Sequence, residues 1–98
     1  MATKTTTFDS AVVLDTPEAV EEYLADAFES HDASFISYAL GVVARAKGMS
    51  QLAEDTGLSR QALYKALSAD GNPEFATIVK VSQALGFNLK PERASATA

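Results

Sequence analysis

The sequence contains no cysteine, a single histidine and eight basic residues against thirteen acidic ones. Without cysteine, neither a disulfide framework nor a thiolate metal site can hold the chain, so its stability has to come from packing. No stretch approaches the roughly 20 consecutive apolar residues that a membrane span requires. The opening "MATKTTT" has no apolar run behind it to form a signal peptide. These absences lead to the expectation of a soluble, cytoplasmic protein with no membrane partner. The one histidine, His31, falls beside Asp32 in an expected helix connection, where a lone exposed imidazole reads as a solvated loop residue rather than a catalyst or ligand. The acid pair Glu54 and Asp55 has no candidate partner beside it in sequence. With no Gly-rich phosphate loop, no pairing of nucleophile and base and no metal-ligand spacing, the reading is of a protein that is not an enzyme and uses no cofactor or metal.

What is there is 98 residues, 47% of them apolar, enough for one core and too few for two. The formal net charge of −5 is unevenly divided. Residues 1–33 hold eight acids against Lys4, a net of −7, whereas residues 34–98 hold seven bases against five acids, a net of +2. The acidic portion can meet a basic protein while the remainder meets something negative, or the run "PEAVEEYLADAFES" can be a solvated helix face.

Along the chain, residues 1–7 and 92–98 are small and polar and read as disordered ends flanking one domain over residues 8–91. "FDSAVVLD", Phe8 to Asp15, reads as either a strand or an extended arm. Thr16 as N-cap, Pro17 at the first helical position and Glu18, Glu21 and Glu22 near the positive end of the dipole start a helix. Its apolar stripe is Val20, Tyr23, Leu24, Ala27 and Phe28. A second helix follows the cap Asp32, carries Ile36, Ala39, Leu40, Val43 and Ala44 on one face, and stops at Gly48. Near the end, Asn72 as cap and Pro73 open another helix bearing Phe75, Ile78, Val79 and Leu85, stopped by Gly86. The fold class expected is all-α: a small bundle of about five helices. "FNLKP", Phe87 to Pro91, alternates in the manner of a short C-terminal strand, to be paired either with the arm at Val12 to Leu14 or with the same strand of a second copy across a two-fold axis.

Between these helices lies "MSQLAEDTGLSRQALYKAL", Met49 to Leu67. Ser50 can cap a first short helix, Gly57 can supply a left-handed turn, and Ser59 can cap a second. Ala53, four residues before the glycine, permits a close crossing, and Leu52, Leu58, Leu63 and Leu67 are spaced to fill the wedge. Such a helix-turn-helix leaves Ser59, Arg60, Gln61, Tyr64, Lys65 and Ser68 facing outward, with no acid among them. In the docking geometry of DNA readers, the second helix enters the major groove by its N-terminal end. Arg60 then suits a guanine edge, and Gln61 an adenine edge or a phosphate. Tyr64 and Lys65 suit the backbone, as do Ser50 and Gln51 at the start of the first helix, with Arg45 and Lys47 adding charge nearby. The competing reading is a tri-helical protein-interaction scaffold that never touches DNA, since two cations on one helix release few counterions.

The segment "GVVARAKGMSQLAEDTGLSRQALYKALSADGNPEFATIVKVSQALG" resembles the antidote proteins of bacterial toxin-antitoxin (addiction) modules, in the HigA-like branch of the phage-repressor-type helix-turn-helix proteins. The similarity runs over about residues 8–91, and "GLSRQALYKALS" followed by "GNPEFATIVKVSQALG" is its most specific part. The resemblance implies an antitoxin that neutralises a RelE/ParE/HigB-like toxin, a small basic protein usually encoded alongside it, and that represses its own operon as a homodimer on operator DNA. Family role and charge together make Glu18, Glu21, Glu22, Asp26 and Glu29 the expected toxin-facing residues. A stand-alone transcriptional repressor and a protein-only adaptor are the alternatives.

Overall fold

Five helices make up the regular structure of residues 14–94, the part of the chain that the computed structural model describes. They are α1 (Pro17–Glu29), α2 (Ala33–Lys47), α3 (Met49–Thr56), α4 (Arg60–Ala66) and α5 (Phe75–Ala84). No strand occurs among the described residues.

The first two helices start as their caps dictate. Thr16 is extended (φ −130°, ψ 154°) and its Oγ1 accepts from the Ala19 N–H at 3.0 Å. Asp32 Oδ1 accepts from Ser34 N at 3.0 Å and Phe35 N at 3.3 Å. Each satisfies amide groups that the first helical turn leaves without a carbonyl partner. Between the two helices, His31 adopts φ 56° and its N–H donates to the Phe28 carbonyl, so this residue closes α1 in the left-handed conformation that ends many helices. That backbone role accounts for an exposed histidine here without any chemistry.

α1 buries Val20, Leu24 and Ala27 against α2, which contributes Ala39, Leu40, Val43 and Ala44. Tyr23 and Ile36 pack at the margin. Met49 and Leu52 of α3, Leu63 and Leu67 at α4, and Val81 and Leu85 at α5 complete a single core. Burying each large aliphatic side chain contributes about 1.5–3 kcal/mol.

A close approach that the sequence reading did not single out holds α4 to α2. Gly41 is buried in the middle of α2, and a Cβ placed on it would run into the backbone carbonyl oxygen of Leu67, with the carbonyl carbon only 3.3 Å away. Glycine costs a helix interior about 1 kcal/mol relative to alanine. It stands here where the end of α4 needs the space.

Three expectations are corrected. Ser50 does not cap α3: the helix begins two residues earlier, at Met49, which is drawn into the core at 5% exposure, and Gly48, at φ 116°, stands in the cap position with no side chain to offer. Nor does Asn72 cap α5. Gly71 nestles against the end of α4, where a Cβ would sit 2.7 Å from the Lys65 carbonyl oxygen, so the chain is held away from helical geometry until Glu74. Phe75 thereby becomes the first residue of α5 and is 74% exposed instead of facing the core. The third correction concerns Phe87 to Pro91, which is not a strand. The Phe87 N–H is spent on the Ser82 carbonyl at 2.8 Å, closing the end of α5 behind Gly86 (φ 92°). Its ring packs on the core while Leu89 faces solvent, which is the alternation read as a strand. Of the arm, Phe8 to Val13 lies outside the described residues; Leu14 packs against the core, without strand geometry.

Candidate nucleic-acid interface

The pairing of α3 with α4 follows from the residues between them. Gly57 takes φ 79° and donates to the Ala53 carbonyl at 2.9 Å, ending α3 in the left-handed conformation the turn needs. Thr56 fastens the same turn, donating from Oγ1 to the Leu52 carbonyl (2.8 Å) and accepting there from the Leu58 N–H (3.2 Å). Leu58 tucks against the core, and Ser59, extended at ψ 155°, caps α4 by accepting from Ala62 N at 3.0 Å. With Leu52 and Leu63 buried and Ala53 packed against the core, the wedge between the helices is filled as their spacing required. α3 also packs on α2 and α5, so α4 is mounted on a support that is itself braced.

α4 has only seven residues, too few to be stable alone, which makes its cap matter. Ser59→Ala is expected to cost about 1 kcal/mol of folding stability. Urea denaturation followed by circular dichroism measures this, and a midpoint unchanged from the parent would show that the cap contributes nothing.

With Leu63 turned inward, Arg60, Gln61, Tyr64 and Lys65 are all exposed. At 3.6 residues per turn they span an arc of about 140°. No acid lies on α4. The Arg60 guanidinium carbon stands 5.9 Å from the centroid of the Tyr64 ring, one turn further along. Ser68 is turned back instead of outward, its hydroxyl donating to the Lys65 carbonyl at 3.0 Å. Ser59 remains exposed while serving as the cap.

The residues expected at the start of α3 are less free. Ser50 is exposed, but the Gln51 side-chain amide donates to Asp55 Oδ1 at 3.0 Å, an intrahelical pair that places a carboxylate beside the group assigned to phosphate. Arg45 lies back along α2, with Nη1 3.2 Å from where a Gly41 Cβ would stand. Its charge therefore complements the carbonyl end of α4. The cations of the outward α4 face are Arg60 and Lys65.

The five acids of α1 are all exposed, over an arc of about 140° opposite Val20, Leu24 and Ala27. They lie on a different element from the α4 face. Among the described residues, no three His, Asp or Glu side chains gather as a metal cluster, and no helix is long and apolar enough to cross a membrane.

The chain matches a family model described as "Probable addiction module antidote protein" over residues 4–93. It is similar to a Haemophilus influenzae protein described as "Uncharacterized protein", with 44% identity over 86 residues that cover 88% of this chain and 89% of the other. No solved structure matches it. The match takes in all five helices, the braced α3–α4 pair and the acidic face of α1, and the chain belongs to this family of probable addiction module antidote proteins.

Proposed function

We propose that this protein is the antitoxin of a type II toxin-antitoxin module, in the HigA-like branch, and that α3 and α4 act as a helix-turn-helix on the operator of its own genes. The observation that carries the reading is the outward face of α4: Arg60, Gln61, Tyr64 and Lys65, exposed together and free of acids in a chain of net charge −5. Arg60 offers a planar donor pair to a guanine edge, Gln61 a donor and acceptor to adenine, and Lys65 a cation to phosphate. The exposed hydroxyls of Ser59 and Ser50 add contacts to the phosphate backbone. Gln51 joins them only by exchanging its Asp55 partner for a phosphate. Two cations on one α4 release few counterions, so repression is assigned to a homodimer that doubles the number and places two helices in successive turns of the major groove. The protein works in the cytoplasm, where its DNA is, and has no catalytic role.

The toxin is assigned to α1, with Glu18, Glu21, Glu22, Asp26 and Glu29 facing a small basic RelE/ParE/HigB-like protein. Opposite charges at an interface speed association and make it sensitive to salt. Co-expression with the adjacent reading frame, followed by pull-down at two salt concentrations, tests this. A variant carrying Glu18→Gln, Glu22→Gln, Asp26→Asn and Glu29→Gln is expected to hold the toxin about tenfold less tightly at low salt and to lose most of the salt dependence. Unchanged neutralisation with unchanged salt dependence would move the toxin site elsewhere. A neighbouring frame that encodes no small basic protein would leave a stand-alone repressor.

A further inference from the structure

We infer that Tyr64 is a positioning residue for Arg60, fixing the guanidinium for base readout rather than binding the phosphate backbone itself. The inference rests on the DNA-reading role proposed for α4 and adds a division of labour within it.

The geometry follows from how side chains leave a helix. Each Cα–Cβ bond tilts toward the N-terminus, so the ring of residue i+4 lies over the side chain of residue i. Ser59 caps α4, so Arg60 is its first helical residue and Tyr64 stands one turn above it. The Arg60 guanidinium carbon is 5.9 Å from the Tyr64 ring centroid, within the range at which a cation is attracted to an aromatic face. Tyr64 is 42% exposed, so its ring is a free platform rather than part of the core.

The value of the arrangement lies in which part of the guanidinium it uses. The ring attracts the delocalised charge of the guanidinium without accepting from its five N–H donors, which lie in the plane of the group and stay available to a guanine O6 and N7 pair. An unsupported arginine at the first position of a helix must give up rotamer freedom on meeting DNA. One already restrained by a ring gives up less, and the difference appears as affinity for the correct base. A tyrosine that merely touched phosphate would act through its hydroxyl and would affect all sequences alike. The two roles therefore differ in the part of the side chain they need.

The test measures fluorescence anisotropy of the full chain on a duplex from immediately upstream of its own gene and on a shuffled duplex of equal length. Tyr64→Leu is expected to weaken binding to the upstream duplex about two- to fivefold and to leave the shuffled duplex unaffected. Tyr64→Phe, which keeps the ring and removes the hydroxyl, restores the parent affinity. In an Arg60→Ala background, Tyr64→Leu has no further effect, because the coupling has lost its other member. Circular dichroism of Tyr64→Leu checks that this exposed substitution keeps the helices. The inference is overturned if Tyr64→Phe weakens binding as much as Tyr64→Leu, if the loss persists without Arg60, or if Tyr64→Leu binds like the parent. Should Arg60→Ala bind as tightly as the parent, the assignment of Arg60 as reader fails with it. Should the parent prefer neither duplex, α4 is no reader at all. Each failure is thus distinguishable from failure of the Tyr64 role alone.

Discussion

Arg60→Ala is expected to weaken binding to the operator by about 1–3 kcal/mol, roughly five- to 150-fold, and to relax preference at the base it contacts. The size follows from what is lost. On the proposed role of α4, a bidentate guanidinium-guanine pair is lost at its N-terminal end, and no other residue of that helix can replace it, since Lys65 stands more than a turn away and offers a point charge instead of a planar fork. Lys65→Ala should behave differently: it weakens binding to all sequences alike and lowers the salt slope by about one counterion per copy. Affinities measured over a range of salt separate the two. Equal slopes and equal losses for both variants would mean that Arg60, too, is only a phosphate contact.

Gly41→Ala is expected to lower folding stability by about 1–3 kcal/mol, although alanine is the better helix former. On an exposed helix face the substitution would be stabilising. Here the added methyl meets the Leu67 carbonyl, which belongs to the backbone and cannot rotate away. Either α4 slides outward or α2 bends, and each opens the contacts of Leu63 and Leu67, both completely buried. For a domain of this size the loss corresponds to a fall in melting temperature of about 4–8 °C per kcal/mol. Because the clash lies at the end of α4, DNA affinity should fall along with stability. A melting temperature equal to or above the parent's would contradict the close approach of α4 to α2.

The sequence was most informative where one residue decides one local geometry. Thr16, Asp32 and Ser59 have short polar side chains that can satisfy the free amides of a helix start, and each does so. The leucines of Met49 to Leu67 could be placed because their spacing leaves only one side of two short helices able to bury them. It was less informative where the outcome depends on a distant element. Ser50 looked like a cap, but burial of Met49 moved the helix start past it. Asn72 and Pro73 looked like a helix opening, yet the contact of Gly71 with the end of α4 delays α5 to Phe75. The alternation at Phe87 to Pro91 reflects one anchored ring and one exposed leucine, and periodicity alone does not distinguish that from a strand. Gly41 was invisible for the same reason, since nothing near it in sequence announces that Leu67 passes by. For the candidate site, the residues of α4 were legible from helical spacing. The Arg60–Tyr64 contact and the Gln51–Asp55 pair both depend on side-chain positions that i, i+4 spacing permits but does not dictate.

The role proposed for α4 is to read a particular DNA sequence. The most direct test titrates the unmodified chain into a labelled duplex from immediately upstream of its own gene, against a shuffled duplex of the same length and composition at one fixed salt concentration. The upstream duplex is predicted to bind at least about a hundredfold more tightly. Equal affinity for the two duplexes, or no binding to either at low salt, would contradict the account.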